Sequence, residues 1–146
     1  MKLYLDNCCL NRPFDDQTKD RIRIESEAIL IILKRVILDK VKLIGSEVLF
    51  LEIEKTPDII RKSQLIGISK YFSEIIVANE SLRKRAKELS LLGFKSYDAF
   101  HIACAESAKS DFFLTTDDKI IKTFIRNKTK ISIKIQNPII WLEENL

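Results

Sequence analysis

Four acids stand where apolar stretches of this chain give out. Asp6 follows Lys2-Leu3-Tyr4-Leu5, Glu52 lies just past residues 41–46, Asp98 follows Gly93-Phe94-Lys95-Ser96-Tyr97, and Asp117 follows Phe112-Phe113-Leu114-Thr115-Thr116. In an open parallel α/β sheet the carboxyl ends of the strands share one edge, and ligands bind in the crevice beside it. Acids remote in sequence can meet there. Two ionised carboxylates about 5 Å apart repel by roughly 3 kcal/mol at an effective dielectric near 20, and a whole domain is stable by only about 5–15 kcal/mol. Protonation relieves such a cluster, and so does a divalent cation that takes carboxylate oxygens. A metal centre built on Asp6, Glu52, Asp98 and Asp117 is the expectation.

Each acid has a plainer explanation to beat. A lone Asp after a strand can be a turn or capping residue; Asp6 is singled out by the company it keeps. Glu52 is flanked by Leu49, Phe50, Leu51 and Ile53, where an idle charge is costly to bury. Glu47 competes for the same role, but a first-turn acid is favoured by the helix dipole alone. That dipole also favours Asp98, whose pairing with Asp6 and Asp117 argues for more. His101, three residues on, shares its helix face and reads as a packing residue. Of the neighbours Asp117 and Asp118, the first is nearer the strand end and is assigned to the metal. Asp118 is assigned an auxiliary place with Asn7, Glu47 and Thr115.

The elements that must position these residues alternate. Strands are expected at residues 2–5, 41–44, 74–78, 111–114 and 131–135, the last exposed on one face because Ser132 and Lys134 alternate with isoleucines. A polar turn with Pro13 is expected from Asn7 to Asp16. Helices are expected over 18–39, 47–55 capped by Ser46, 58–71, 80–92 ending at Gly93, 97–108 capped by Ser96, and 118–126. A short tail helix should pack Trp141 on the body. The alternation predicts one α/β domain over residues 1–146, a parallel sheet with helices on both faces.

Composition agrees with a folded chain: 46% hydrophobic and 32% charged residues, with three Gly and three Pro. No apolar run reaches the ~18 residues that span a bilayer, and the first residues lack the pattern of a signal peptide, so a cytoplasmic protein without membrane association is expected. Net charge is +4, which becomes +8 once the four site acids are set aside. A basic body around an acidic pocket suits a polyanion. Arg12, Lys19, Arg21 and Arg23 flank the first turn and are candidates for phosphate contacts. Cys8, Cys9 and Cys104 are odd in number with no CxxC spacing, which fits buried thiols rather than a disulfide framework or a zinc site.

Leu3-Tyr4-Leu5-Asp6-Asn7, Ser46-Glu47-Val48-Leu49-Phe50-Leu51-Glu52-Ile53, Ser96-Tyr97-Asp98-Ala99-Phe100-His101-Ile102-Ala103 and Leu114-Thr115-Thr116-Asp117 resemble, in order and over nearly the whole chain, the four acidic motifs of PIN-domain ribonucleases. That group includes the toxins of many toxin–antitoxin pairs. The resemblance implies a five-stranded parallel sheet and a Mg²⁺- or Mn²⁺-dependent endoribonuclease cutting single-stranded RNA, with Asp6, Glu52, Asp98 and Asp117 as its acids. It also implies an antitoxin protein as partner, and pairing into a homodimer. Asn7 stands where family members often carry Ser or Thr, and the turn after Cys8 is long.

Two other classes compete. Aspartyl-phosphate phosphotransferases also place an Asp after the first strand, but one group wants a second Asp where Cys8 stands, and another wants an acidic pair that Met1-Lys2-Leu3 lacks. A catalytically silent PIN-like scaffold binding RNA or protein is the second alternative, and retention of all four acids argues against it.

Overall fold

Lys2-Leu3-Tyr4-Leu5 forms β1 (Lys2–Leu5), with Leu3, Tyr4 and Leu5 all fully buried. A strand buried on successive residues is one covered on both faces, and β1 lies at the centre of the sheet. In the computed structural model, which describes residues 1–146, the other strands are β2 (Lys42–Ser46), β3 (Phe72–Ile76), β4 (Phe112–Leu114) and β5 (Lys134–Gln136). Their order is β3-β2-β1-β4-β5, every pair parallel. The chain therefore builds outward from β1 to one side, then returns to lay β4 on the other. The crevice between the ends of β1 and β4 is the point where strand order reverses, the place such sheets bind ligands.

Eight helices cover the sheet: α1 (Asn7–Asn11), α2 (Asp20–Ile37), α3 (Glu47–Glu54), α4 (Ile59–Ser69), α5 (Glu80–Leu91), α6 (Ser96–Ser107), α7 (Asp118–Arg126) and α8 (Pro138–Glu144). Their caps show why they start where they do. Ser46 accepts the Leu49 N–H, Asp58 the N–H groups of Ile60 and Arg61, Asn79 that of Leu82, and Asn137 that of Ile139, each satisfying a donor the helix cannot. Gly93, with φ +116°, lets the chain turn after α5. Trp141 of α8 is buried against the body and Arg35 lies over its ring. No helix is long and apolar enough to cross a membrane.

Four expectations need correction. The turn after Asp6 is largely helical: α1 is followed by a 3₁₀ turn, Arg12–Phe14, with Pro13 in its first positions. Cys9 and Leu10 are fully buried, and that apolar anchorage outweighs the polar look of the segment. Strand β3 begins at Phe72, earlier than the Ile75-Ile76-Val77 run suggests. Its Phe72 ring lies over Gly45, where a Cβ would stand 2.1 Å from Cδ2, while Phe72 itself pairs with Leu43 and the register shifts before Ile44 meets Glu74; Ile75 and the following Val77 are exposed. Strand β5 begins at Lys134, because a 3₁₀ turn at Lys128–Lys130 precedes it and Phe112 first meets a partner there. Ser96 is the first residue of α6, not its cap; Lys95 holds that position without a side-chain bond.

Glu25 of α2 is wholly buried, yet its carboxylate is matched by the chain itself. Arg12 Nη2 lies 2.8 Å away and Arg21 Nε 3.3 Å away, while Asn137 Nδ2 donates at 2.6 Å. This network ties the 3₁₀ turn, α2 and the start of α8 together. Removing one partner of a buried ion pair costs about 3–5 kcal/mol. Glu25→Gln keeps the shape and loses the charge, so a loss of about 3 kcal/mol is expected, seen as a lower urea midpoint with an unchanged slope. An unaltered midpoint would show that the network contributes nothing.

Candidate active site

Asp6 leaves β1 at the switch point and caps α1, its Oδ1 accepting the Asn7 N–H at 2.8 Å. Its Oδ2 accepts the Thr115 hydroxyl at 2.9 Å, with the Cys8 thiol at 3.4 Å. Thr115, in turn, accepts the Asp117 N–H at 3.1 Å. One buried threonine at the end of β4 therefore fixes the acid from β1 to the segment that carries the acid of β4. Asp117 caps α7, its Oδ1 accepting the Lys119 N–H at 2.9 Å.

The other two acids arrive on helices. Glu52 reaches the site from α3, and its Oε1 meets His101 Nε2 of α6. Ligand atoms of Asp6, Glu52 and His101 all lie within 4.8 Å of one another. Asp98, in the first turn of α6, lines a small cleft of about 70 Å³ with Asp117, Lys95 and Lys119. Burial raises the Asp6 carboxyl well above its ordinary range, and the charges of Cys8 and Asp98 add to it against the pull of His101. Asp98 is raised as well, by desolvation first, then by Asp117 and Glu52. Asp6 and Glu52 thus meet directly, whereas Asp98 and Asp117 share a cleft of their own.

No Lys or Arg forms an ion pair with Asp6, Glu52, Asp98 or Asp117. That is the contrast with Glu25. The donor set is mostly carboxylate oxygen, which suits a hard divalent ion such as Mg²⁺ or Mn²⁺, and the residues present fit such an ion.

The remaining candidates are placed unequally. Asn7 lines a hollow of about 360 Å³ with Asn11, Glu52, Lys55 and Arg61. Glu47 turns the other way, its Oε1 accepting the Ala78 N–H at 3.3 Å, beside an apolar hollow formed with Val48, Leu51, Tyr97 and Phe100. Asp118 is exposed and grips Arg21 with both oxygens at 2.8 Å. Arg21 also donates to the Thr116 carbonyl at 3.1 Å. Arg12 is held by Glu25 and Asp15, Arg23 by the exposed Asp20, and Lys19 makes no ion pair. Cys9 and Cys104 are buried, whereas Cys8 is half-buried beside Asp6; hydrogen bonds from Cys9 first, then Thr115 and Thr116, bring its thiol down to about 6 against desolvation.

Sequence reasoning passed over Lys55, Arg61, Lys95 and Lys119, cations that line the same hollows as Glu52, Asp98 and Asp117. Lys95 and Lys119 stand within three residues of Asp98 and Asp117, a signal that was available. Arg61 had none: it comes from α4 and is held by Asp15 and the Phe14 carbonyl.

No protein-family model matches the chain, and no curated protein matches it. Among solved structures it is similar to a chain in the crystal structure of VapBC2 from Rickettsia felis bound to a DNA fragment from their promoter. The TM-score is 0.54 and the identity 14%, over 94% of this chain and 98% of that one. The likeness is one of fold: five parallel strands between helices, PIN-like in arrangement.

A carboxyl whose folded pKa is raised contributes stability that is fully present below its unfolded value, about 3.9 for Asp, and is lost as pH rises through the folded value. In the presence of a chelator, Asp98→Asn is therefore expected to melt above the wild type at pH 8. Allowing for solvent screening of a half-exposed group, the gain is about 1 kcal/mol, or roughly 3 °C for a domain of this size. The gap should close toward pH 4. A gap independent of pH would show that ionisation of Asp98 carries no strain.

Proposed function

We propose that this chain is a divalent-metal-dependent endoribonuclease that hydrolyses phosphodiester bonds of single-stranded RNA. The observation that carries the proposal is the meeting of Asp6 and Glu52 beside the topological switch point, with Asp98 and Asp117 sharing a cleft of their own and no Lys or Arg paired to any of the four. Asp6, Asp98 and Asp117 would hold Mg²⁺ or Mn²⁺, directly or through water, with Glu52 a further ligand or the group that orients the attacking water. Such an ion, when bound, lowers the pKa of its water and offsets charge building on the phosphate during in-line attack.

The chain's own groups account for the rest of the task. Thr115 and the Asn7 N–H hold Asp6 in one orientation, so it needs no reorganisation when the ion arrives. Lys95 and Lys119 beside Asp98 and Asp117, with Lys55 in the hollow that Glu52 lines, offer contacts for a phosphate backbone, which gives salt-sensitive binding. Arg12 and Arg21 support the frame through Glu25 and Asp118, while Lys19 and Arg23 are left as outlying phosphate contacts. The motif resemblance and the fold likeness to a VapBC2 chain support a further step: the chain is the toxin of a toxin–antitoxin pair, and a small antitoxin protein obstructs the pocket.

With Mn²⁺ and a single-stranded RNA, Asp6→Asn is expected to lower the cleavage rate by at least about 100-fold, since the loss of a ligand exceeds the 10–100-fold typical of groups that only support one. Undiminished cutting would overturn the mechanism. A wild-type protein that binds Mn²⁺ and RNA but cuts nothing would identify a binding scaffold instead.

A further inference from the structure

Tyr4 lies in the middle of the central strand and His101 in the middle of α6, and neither has any solvent exposure. The Tyr4 hydroxyl is 2.6 Å from Ser46 Oγ and 2.6 Å from His101 Nδ1. On its far side His101 meets Glu52. The tyrosine ring stacks on Phe113 with centroids 5.4 Å apart and takes His101 edge-on at 5.6 Å, so both rings are fixed by packing. A hydroxyl and an imidazole in the core are costly unless each polar atom finds a partner. Here every one does, in a single line from Ser46 through Tyr4 and His101 to a carboxylate at the edge of the site. Phe at position 4 and Leu at position 101 would fill similar space without that line.

The directions of these bonds can be worked out. The far end is pinned: Ser46 Oγ accepts the Leu49 N–H at 3.1 Å as the cap of α3. At the near end the Glu52 carboxylate accepts, so His101 Nε2 must carry a proton. If the imidazole is neutral, Nδ1 accepts from the Tyr4 hydroxyl, which accepts from Ser46. If it is charged, both bonds reverse, and Ser46 Oγ then accepts from both Tyr4 and the Leu49 N–H. In either state the nitrogen facing Glu52 has no lone pair to offer a metal.

We infer that Ser46, Tyr4 and His101 form a positioning relay that aims the Glu52 carboxylate into the site, and that His101 is not itself a metal ligand. The inference rests on the metal-dependent reading above. Outer groups of this kind fix the orientation and basicity of the ligand they touch, and losing one lowers metal affinity about 10–100-fold.

The test is a calorimetric Mn²⁺ titration of four proteins: wild type, Tyr4→Phe, Glu52→Gln and the double variant. Tyr4→Phe removes one oxygen and keeps the ring. It should weaken Mn²⁺ binding about 10–100-fold in the wild type and have no further effect beside Glu52→Gln, because the relay acts only through that carboxylate. An equal loss in both backgrounds, or no loss in either, overturns the inference while leaving the proposed function standing. A wild-type protein that takes up no Mn²⁺ overturns both. A second measurement needs no variant: the electron spin-echo spectrum of Mn²⁺ bound to the wild type should lack a directly coordinated nitrogen. A coordinated ¹⁴N signal would make His101 a ligand and overturn the relay.

Discussion

Like charges held together out of water are the constraint around which this structure is organised. The chain contains two solutions to the burial of acid. Glu25 is fully enclosed, and two guanidinium groups and an amide converge on it. Asp6 is nearly as enclosed, but its partners are a backbone N–H, a hydroxyl and a thiol, none of which supplies positive charge. Burial and neighbouring acids push its carboxyl up, and Asp98 follows for the same reasons. Two ionised carboxylates about 5 Å apart, a spacing reached by Asp6 and Glu52, oppose folding by roughly 3 kcal/mol at an effective dielectric near 20. No lysine or arginine offsets that charge through an ion pair, although Lys95 and Lys119 share the cleft of Asp98 and Asp117.

Topology makes the arrangement rigid. Because β4 returns to the opposite side of β1 from β2, Asp6 and Thr115 emerge side by side, and Thr115 locks the two strand ends together. Glu52 and Asp98 come from α3 and α6, helices that pack against one another. The β1 strand links these layers, since Tyr4 reaches both the Ser46 cap of α3 and His101 of α6. The same strand therefore contributes a ligand candidate at its end and, two residues earlier, the support for another.

Much of this was legible in the sequence because it rests on local, repeated signals. Apolar runs ending in an acid located the strands and the edge where Asp6 and Asp117 lie. Glu52, embedded among Leu49, Phe50, Leu51 and Ile53, could be separated from the dipole-favoured Glu47, and the structure places only Glu52 beside Asp6. What could not be read depends on contacts across the fold. Strand β3 pairs with β2 across a register shift between Leu43 and Ile44, beside a Phe72 ring that fits over residue 45 only because it is glycine. The helix at residues 7–11 exists because Cys9 and Leu10 find the core. Arg12 and Arg21 look like free cations until Glu25 and Asp118 claim them, and His101 looks like packing until Tyr4 and Glu52 are seen on its two nitrogens.

The central claim is that this acid cluster is completed by a divalent cation. Crystals soaked in Mn²⁺ and measured at the manganese absorption edge test it most directly. An anomalous peak enclosed by Asp6, Glu52, Asp98 and Asp117 is the predicted result. A map with no peak there, at a Mn²⁺ concentration well above that needed for activity of any metal nuclease, would contradict it.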